Sequence, residues 1–314
     1  MRILHIFDAS NYIYIGNAKK QSAIRGVREC DGEYVPNRAP IGGVTFLASK
    51  IIPILENGED IFIAFDRKPI YKMEMYRKVF GYEREYKGQR KKDNGVFKQK
   101  DFAEQLVNLA GVPCGFADEF EADDVIYSVW KKYYDSYDYV RIHSEDSDLA
   151  FMVDNKTEII PVKSNGRHIT VSNYHYTVHT NQLTPYNMAL LLKVILGDSS
   201  DHISGTGDAK EWLGAFADVV DKHGFEMQKM GDIQYCREFI IKVVTEHPEL
   251  KNAHNALNIF NLVTPVLINT ENFDEPGCQG DIKMLKAITG LVQKRLDYPV
   301  IEDYLSEYIS EFNS

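Results

Sequence analysis

The 314-residue chain carries 36 Lys and Arg against 46 Asp and Glu, a formal net charge of -10, with 44% hydrophobic and 26% charged residues. That balance is ordinary for a soluble chain able to bury a large core, as one large domain or two smaller ones. No apolar run approaches the roughly 18 residues that span a bilayer. The stretch Met1 to Asp8 is too short and too soon acidic for a signal peptide. Cys30, Cys114, Cys236 and Cys278 lack the paired spacing of zinc or redox chemistry, so reduced thiols in a cytoplasm fit best.

In chain order, Ile3 to Phe7 reads as a short buried strand with Asp8 just past its end. Asn11 to Pro40 reads as a helix start and then an irregular loop. Gly42 begins an amphipathic helix that carries Pro53 and ends at Asn57-Gly58. Ile61 to Phe65 is a second buried strand closed by Asp66, so strand, helix and strand make a βαβ unit. The tract Arg67 to Lys100 has no steady apolar period and reads as a solvated loop or charged helix. It holds 12 Lys and Arg against four acids, a local balance of +8, with six aromatics among them. Cations interleaved with aromatics also suit phosphate contacts beside stacked, unpaired bases.

A helix from about Lys98 to Ala110 follows, then a short strand into Glu119-Phe120-Glu121-Ala122-Asp123-Asp124. Asp118 with Glu121 has capping-box spacing for the helix that begins there. Tyr139 to His143 is a third strand, with Asp146 and Asp148 past its end. Glu158 to Val162 is a fourth, and Asn165-Gly166 turns into His168 to Val171. His5 and His143 lie in strands and read as satisfied core histidines. Thr184-Pro185 looks like an N-cap and first residue of a helix that Gly197 stops, ahead of Asp198 and Asp201. Helices follow at about 208–221, 232–246, 252–263, 281–294 and 299–312.

Asp8, Asp66 and Asp146 all fall beyond the carboxyl ends of parallel strands, the edge where open α/β sheets place ligand sites. Carboxylates this dense repel one another unless a cation lies between them. Several converging on one point call for divalent ions.

Six pieces in order, over roughly residues 3–205, resemble the 5′-nuclease superfamily of flap endonucleases, phage 5′–3′ exonucleases and the 5′-nuclease domain of bacterial DNA polymerase I. They are Phe7-Asp8-Ala9-Ser10, Ala64-Phe65-Asp66, Tyr86-Lys87-Gly88-Gln89-Arg90, Glu121-Ala122-Asp123-Asp124, Ser144-Glu145-Asp146-Ser147-Asp148 and Leu196-Gly197-Asp198-Ser199-Ser200-Asp201. The resemblance implies an α/β fold with a mostly parallel central sheet and flanking helices (a PIN-like core), a helical arch, and an all-α C-terminal part. It divides the chain into a nuclease core at 1–183, with the arch at 67–100, and a helical duplex-binding part at 184–314. The latter holds a modified helix–three-turn–helix at about 184–222.

It further implies that Asp8, Asp66, Glu121, Asp123, Asp124, Asp146, Asp148, Asp198 and Asp201 hold two or more Mg²⁺ or Mn²⁺ ions. Asp146 and Asp148 count with Lys87 and Arg90 as catalytic, the two cations stabilising the scissile phosphate. Tyr86 stacks on a base, Lys91 and Lys92 extend the contact, and Gly205, Gly207 and Lys210 meet duplex backbone. The substrates so implied are DNA with 5′ flaps or ends, or an RNA–DNA hybrid, in replication or repair beside replication proteins. The setting is the cytoplasm of a bacterial or phage-infected cell, and without a polymerase module the chain looks like the stand-alone kind. One departure stands out. The family's glycine-rich motif often binds K⁺, but after Asp201-His202-Ile203-Ser204-Gly205 the continuation is shortened and lacks the second Gly-x-Gly, which leaves K⁺ and substrate geometry open. A PIN-like single-strand ribonuclease and a non-catalytic DNA-binding protein on the same fold are the competing readings.

Overall fold

The structure is a computed structural model that describes residues 1–19, 23–30, 33–82, 86–87, 94–162, 168–170, 175–177, 183–185, 188–199, 201–290, 304–305 and 307–310. Its centre is a five-stranded parallel sheet of β1 (Ile3–Asp8), β4 (Asp60–Ala64), β5 (Cys114–Gly115), β6 (Tyr139–His143) and β7 (Thr157–Ile160), in the order β5-β4-β1-β6-β7. All four pairings are parallel, with Asp8 opposite Ala64 and Phe7 opposite His143. Strands covered on both faces read as unbroken apolar runs, which is why β1 and β4 were legible.

Alternate residues divide two cores. Leu4, Ile6, Phe62 and Ala64 join the core formed with α5 (Ala122–Tyr133), α6 (Ala189–Leu196), α7 (Ala209–His223), α8 (Ile233–Glu246) and α9 (Ala256–Val263). Phe7, Ile61 and Ile63 join the other, with α1 (Ala9–Lys19), α2 (Gly42–Glu56), α4 (Asn94–Leu109) and α10 (Ile282–Gly290). There α1 and α2 meet at glycines. A Cβ on Gly43 would lie 2.5 Å from the Ile13 carbonyl oxygen, and one on Gly16 2.5 Å from Phe46 Cβ.

Several expectations are corrected. Asn11 to Pro40 is not a loop after its helix start, since β2 (Ala23–Cys30) and β3 (Glu33–Pro40) pair antiparallel. Pairing across strands sustains what scattered charge and glycine obscure. Thr184-Pro185 does not open a helix. Leu183–Pro185 is strand β9, paired with β8 (His175–Thr177), and α6 begins at Ala189. The basic tract, read as a loop or charged helix, does hold a helix, α3 (Ile70–Phe80), although its Lys72 and Tyr76 are buried and not solvated. The cap of α5 is Glu121 paired with Asp124, not Asp118 with Glu121, because Glu119 takes a positive φ of 72° that interrupts any helix from Asp118. Asn165-Gly166 lies outside the described residues, although Ile169 bridges antiparallel to Ile159.

The chain's last third also returns to the α/β core. Between α9 and α10, residues 264–281 run along the outer edge of the sheet, where Gly277 bridges Ile61. Met284, Leu285 and Ile288 of α10 then pack in the core beside α2. His5 and His143 are buried partners. Their ring nitrogens lie 2.8 Å apart, with Glu59 2.8 Å from the other His5 nitrogen. Burial lowers His5 to about 4 and His143 well below its usual value. Among the described residues no helix is long and apolar enough to cross a membrane.

Candidate active site

The carboxyl edge of the sheet gathers the acids. Asp8 ends β1 at 5% exposure. Its two oxygens accept the Asn11 N–H at 2.9 Å and the Ser144 hydroxyl at 3.0 Å. That hydroxyl also accepts the Asp146 N–H at 3.0 Å, tying the tips of β1 and β6. Asp146 in turn caps the 3₁₀ turn Ser147–Met152 by accepting the Asp148 N–H at 2.9 Å. Asp66, two residues past β4, accepts the Ala122 N–H at 2.7 Å and Lys100 Nζ at 3.3 Å. It therefore faces the positive end of α5.

Glu121 is buried at that same helix start. It pairs with Lys72 Nζ at 2.9 Å, accepts the Tyr86 hydroxyl at 3.1 Å, and makes a close ion pair with Lys87. Across the site, one ligand oxygen from each of Asp148, Asp198 and Asp201 lies within 4.8 Å of the others. Lys193, 4% exposed, bridges Asp148 closely and Asp198 at 3.1 Å. Tyr86 Oη reaches Asp201 at 2.9 Å and Lys87 Nζ approaches it at 3.5 Å, so both halves of the cluster meet at the 86–87 pair. Asp123 and Asp148 line one cavity with Glu121, Asp198 and Asp201. Asp124 stands apart. Its oxygens accept the backbone N–H groups of Glu121 and Val266.

The electrostatics are those of a site short of positive charge. Burial, then Asp66 and Asp146, push Asp8 up to about 7. Burial and Asp146 push Asp148 up to about 6, and the same two causes raise Asp123 well above the carboxylate range. Burial opposes ionisation of Glu121 too, but Lys72 and Lys87 outweigh it and hold that group at about 2. Burial likewise acts upward on Asp66, yet Lys100, Ser10 and the Ala122 amide bring it below its usual value. Carboxylates pushed upward beside others held low fit a divalent-cation site, because a doubly charged ion relieves both the repulsion and the desolvation. Strain gathers here as well. Lys87, Glu119 and His202 are non-glycine residues at positive φ, and each adjoins the cluster.

Lys72, Lys100 and Lys193 were missed as site residues. For Lys193 a signal existed: a lysine inside Leu190 to Leu196 has no reason to be there unless a buried acid needs it. Tyr86 is 7% exposed with its hydroxyl turned into the acids, not displayed as a stacking surface. Arg90, Lys91 and Lys92 lie outside the described residues.

In the glycine motif, β10 (Gly197–Asp198) pairs antiparallel with β11 (Ile203–Ser204), so the motif's own turn fixes Asp198. Gly205 abuts the Ile195 carbonyl too closely for any Cβ, and Gly207 has φ 136° against Lys251. The Thr206 carbonyl accepts Asn252 Nδ2 at 2.8 Å. Lys210 stands exposed in the first turn of α7.

Comparison with known proteins accords with this geometry. The chain is 29% identical over 289 residues to DNA polymerase I of Streptococcus pneumoniae serotype 4 (strain ATCC BAA-334 / TIGR4), covering 86% of this chain and 32% of that one. It is 29% identical over 177 residues to DNA polymerase I of Streptococcus pneumoniae strain ATCC BAA-255 / R6, covering 55% and 19%. The chain thus spans a third or less of the polymerases it matches. A phage T5 protein crystallised with metal ions superposes with a TM-score of 0.53 at 16% identity, over 99% of this chain and 98% of that one. The phage T5 flap endonuclease in complex with DNA and metal ions gives 0.52 at 16% identity, over 93% and 100%. At that identity the likeness concerns the fold. Residues 4–180, more than half of the chain, match the family described as the 5′–3′ exonuclease N-terminal resolvase-like domain, and the chain belongs to that family.

Proposed function

We propose that this protein is a divalent-metal-dependent, structure-selective 5′-nuclease that hydrolyses phosphodiester bonds of DNA near 5′ ends or flap junctions. The observation that carries this reading is the convergence of eight acids (Asp8, Asp66, Glu121, Asp123, Asp146, Asp148, Asp198 and Asp201) on one sheet edge, where burial and mutual repulsion push three of them above their usual range. Those acids would hold Mg²⁺ or Mn²⁺, which when bound supplies Lewis-acid relief of developing phosphate charge and activation of water.

The chain's own groups set the geometry. The Ala122 amide and Lys100 orient Asp66, and the Ser144 hydroxyl orients Asp8. Lys87 and Tyr86 lie between Glu121 and Asp201. An incoming phosphate competes with those carboxylates for the Lys87 ammonium, which then stabilises charge on the non-bridging oxygens. Arg90 completes that pair of cations in the proposal. Gly205, Gly207 and the start of α7 are where duplex backbone would rest, close to the exposed Lys210.

Asp146→Asn or Asp148→Asn should abolish cleavage of a 5′-flap DNA labelled at both ends while leaving the fold intact, read by circular dichroism. Full activity in either variant would remove the assignment. Matched single-stranded RNA belongs in the same assay, since preferential cutting of it would move the protein to the ribonuclease reading.

A further inference from the structure

Asp124 sits in the same acidic run as Glu121 and Asp123, yet its surroundings differ in kind. Its side chain is fully buried. Oδ2 accepts the Glu121 N–H at 3.0 Å and Oδ1 accepts the Val266 N–H at 2.7 Å. The first bond is half of a reciprocal cap, because the Glu121 side chain takes the Asp124 N–H. Each carboxylate oxygen thus holds one backbone amide, with the Lys72 ammonium 3.8 Å from Oδ1, and withdrawing the carboxylate would leave both amides unpaired in a dry site.

The second bond reaches 142 residues along the chain. Val266 belongs to the stretch 264–281 that joins α9 to α10. One helical turn on, Ser128 Oγ accepts the Ile268 N–H at 2.9 Å and donates to the Asp124 carbonyl at 2.7 Å. The stretch then exchanges backbone and carboxylate bonds with Cys114 through Asp274, and pairs Gly277 with Ile61. At its start, Val263 and Pro265 line the same cavity as Glu121, Asp123 and Asp148. One segment therefore grips the first turn of α5, from which two acids project, and is itself anchored on the sheet that carries Asp8 and Asp66.

We propose that Asp124 is a positioning residue and not a metal ligand: it fastens the start of α5 to Val266 and so sets where Glu121 and Asp123 stand. This rests on the nuclease reading above for its catalytic consequence, but the tie itself does not.

The test begins with the unaltered protein. Hydrogen exchange at the Val266 and Ile268 amides is measured without metal and with saturating Mn²⁺. Both amides should be protected and stay protected on loading. Release of the Val266 amide by Mn²⁺ would mean that Asp124 swings to the ion, and would overturn the proposal. Asp124→Asn puts an NH₂ against one of the two amides. It should bind as many Mn²⁺ ions by calorimetry as the unaltered protein, with kcat on 5′-flap DNA reduced about 10–100-fold and KM held. Asp123→Asn should bind one ion fewer. Loss of an ion in Asp124→Asn would also overturn the proposal. Absence of any cutting by the unaltered protein would instead defeat the nuclease reading, with the exchange result still deciding the tie.

Discussion

Lys193→Met removes an ammonium that pairs with both Asp148 and Asp198 while keeping a long side chain among Leu190, Leu191 and Val194. At an effective dielectric of about 20, an ammonium 3.1 Å from a carboxylate attracts it by about 5 kcal/mol. Desolvation of the lysine takes back a large share. What remains is the cost of leaving acids buried without their partner, about 3–5 kcal/mol. With an unfolding entropy of about 2 cal/mol/K per residue, the metal-free variant should melt about 5–8 °C lower. A divalent ion binding those same acids reverses part of the loss. At a hundred times its dissociation constant it contributes about 2.7 kcal/mol, and in the variant it no longer competes with an ammonium. The assay is thermal unfolding in EDTA and in Mg²⁺, at one pH, for both proteins. The gap should be wide in EDTA and narrow in Mg²⁺. An equal gap in both, or none in EDTA, would refute the reasoning.

Two further outcomes are expected. Asp8 is raised from 3.8 to about 7, so between those values the folded chain holds a proton that the unfolded chain has lost. Its contribution to metal-free stability is full below the lower value and disappears as pH rises through the upper one. His5, lowered to about 4, works the opposite way over the acid part of that window, its contribution being lost as pH falls. The measurement is therefore a difference: urea midpoints of the unaltered protein minus those of Asp8→Asn, from pH 4 to 8 in EDTA. That difference should decline with rising pH; a flat one would contradict the raised group. Separately, Gly43→Ala forces a methyl onto the Ile13 carbonyl and should cost about 1–3 kcal/mol in a urea titration, with metal affinity unchanged. A neutral result would mean that α1 and α2 separate freely.

Much of the site was legible because its geometry is encoded locally. A parallel strand buried on both faces must be apolar throughout, so the first acid after such a run marks the strand's carboxyl end. Asp8 and Asp66 follow that rule, Asp146 lies one residue beyond the first acid after β6, Glu145, and the start of α5 was legible from its acids. Elements whose partners come from elsewhere were not. The β2–β3 pair carries charge and glycine at non-periodic positions, and only cross-strand bonding makes strands of it. Lys72 reads as one more cation of a basic tract until the fold presses it against Glu121.

The amino-acid sequence by itself determined the alternation of strand and helix, the edge on which acids must collect, and the surplus of carboxylates that asks for a cation. Tertiary structure alone decided how those carboxylates are divided. It set Lys193 between Asp148 and Asp198, turned Tyr86 inward to join Glu121 with Asp201, and committed Asp124 to an amide 142 residues away. The physical reason is range. A helix or strand period relates residues a few positions apart, whereas the pairing of a buried charge is settled by whichever distant group the packed chain brings within reach, and adjacent acids of one motif can meet quite different partners.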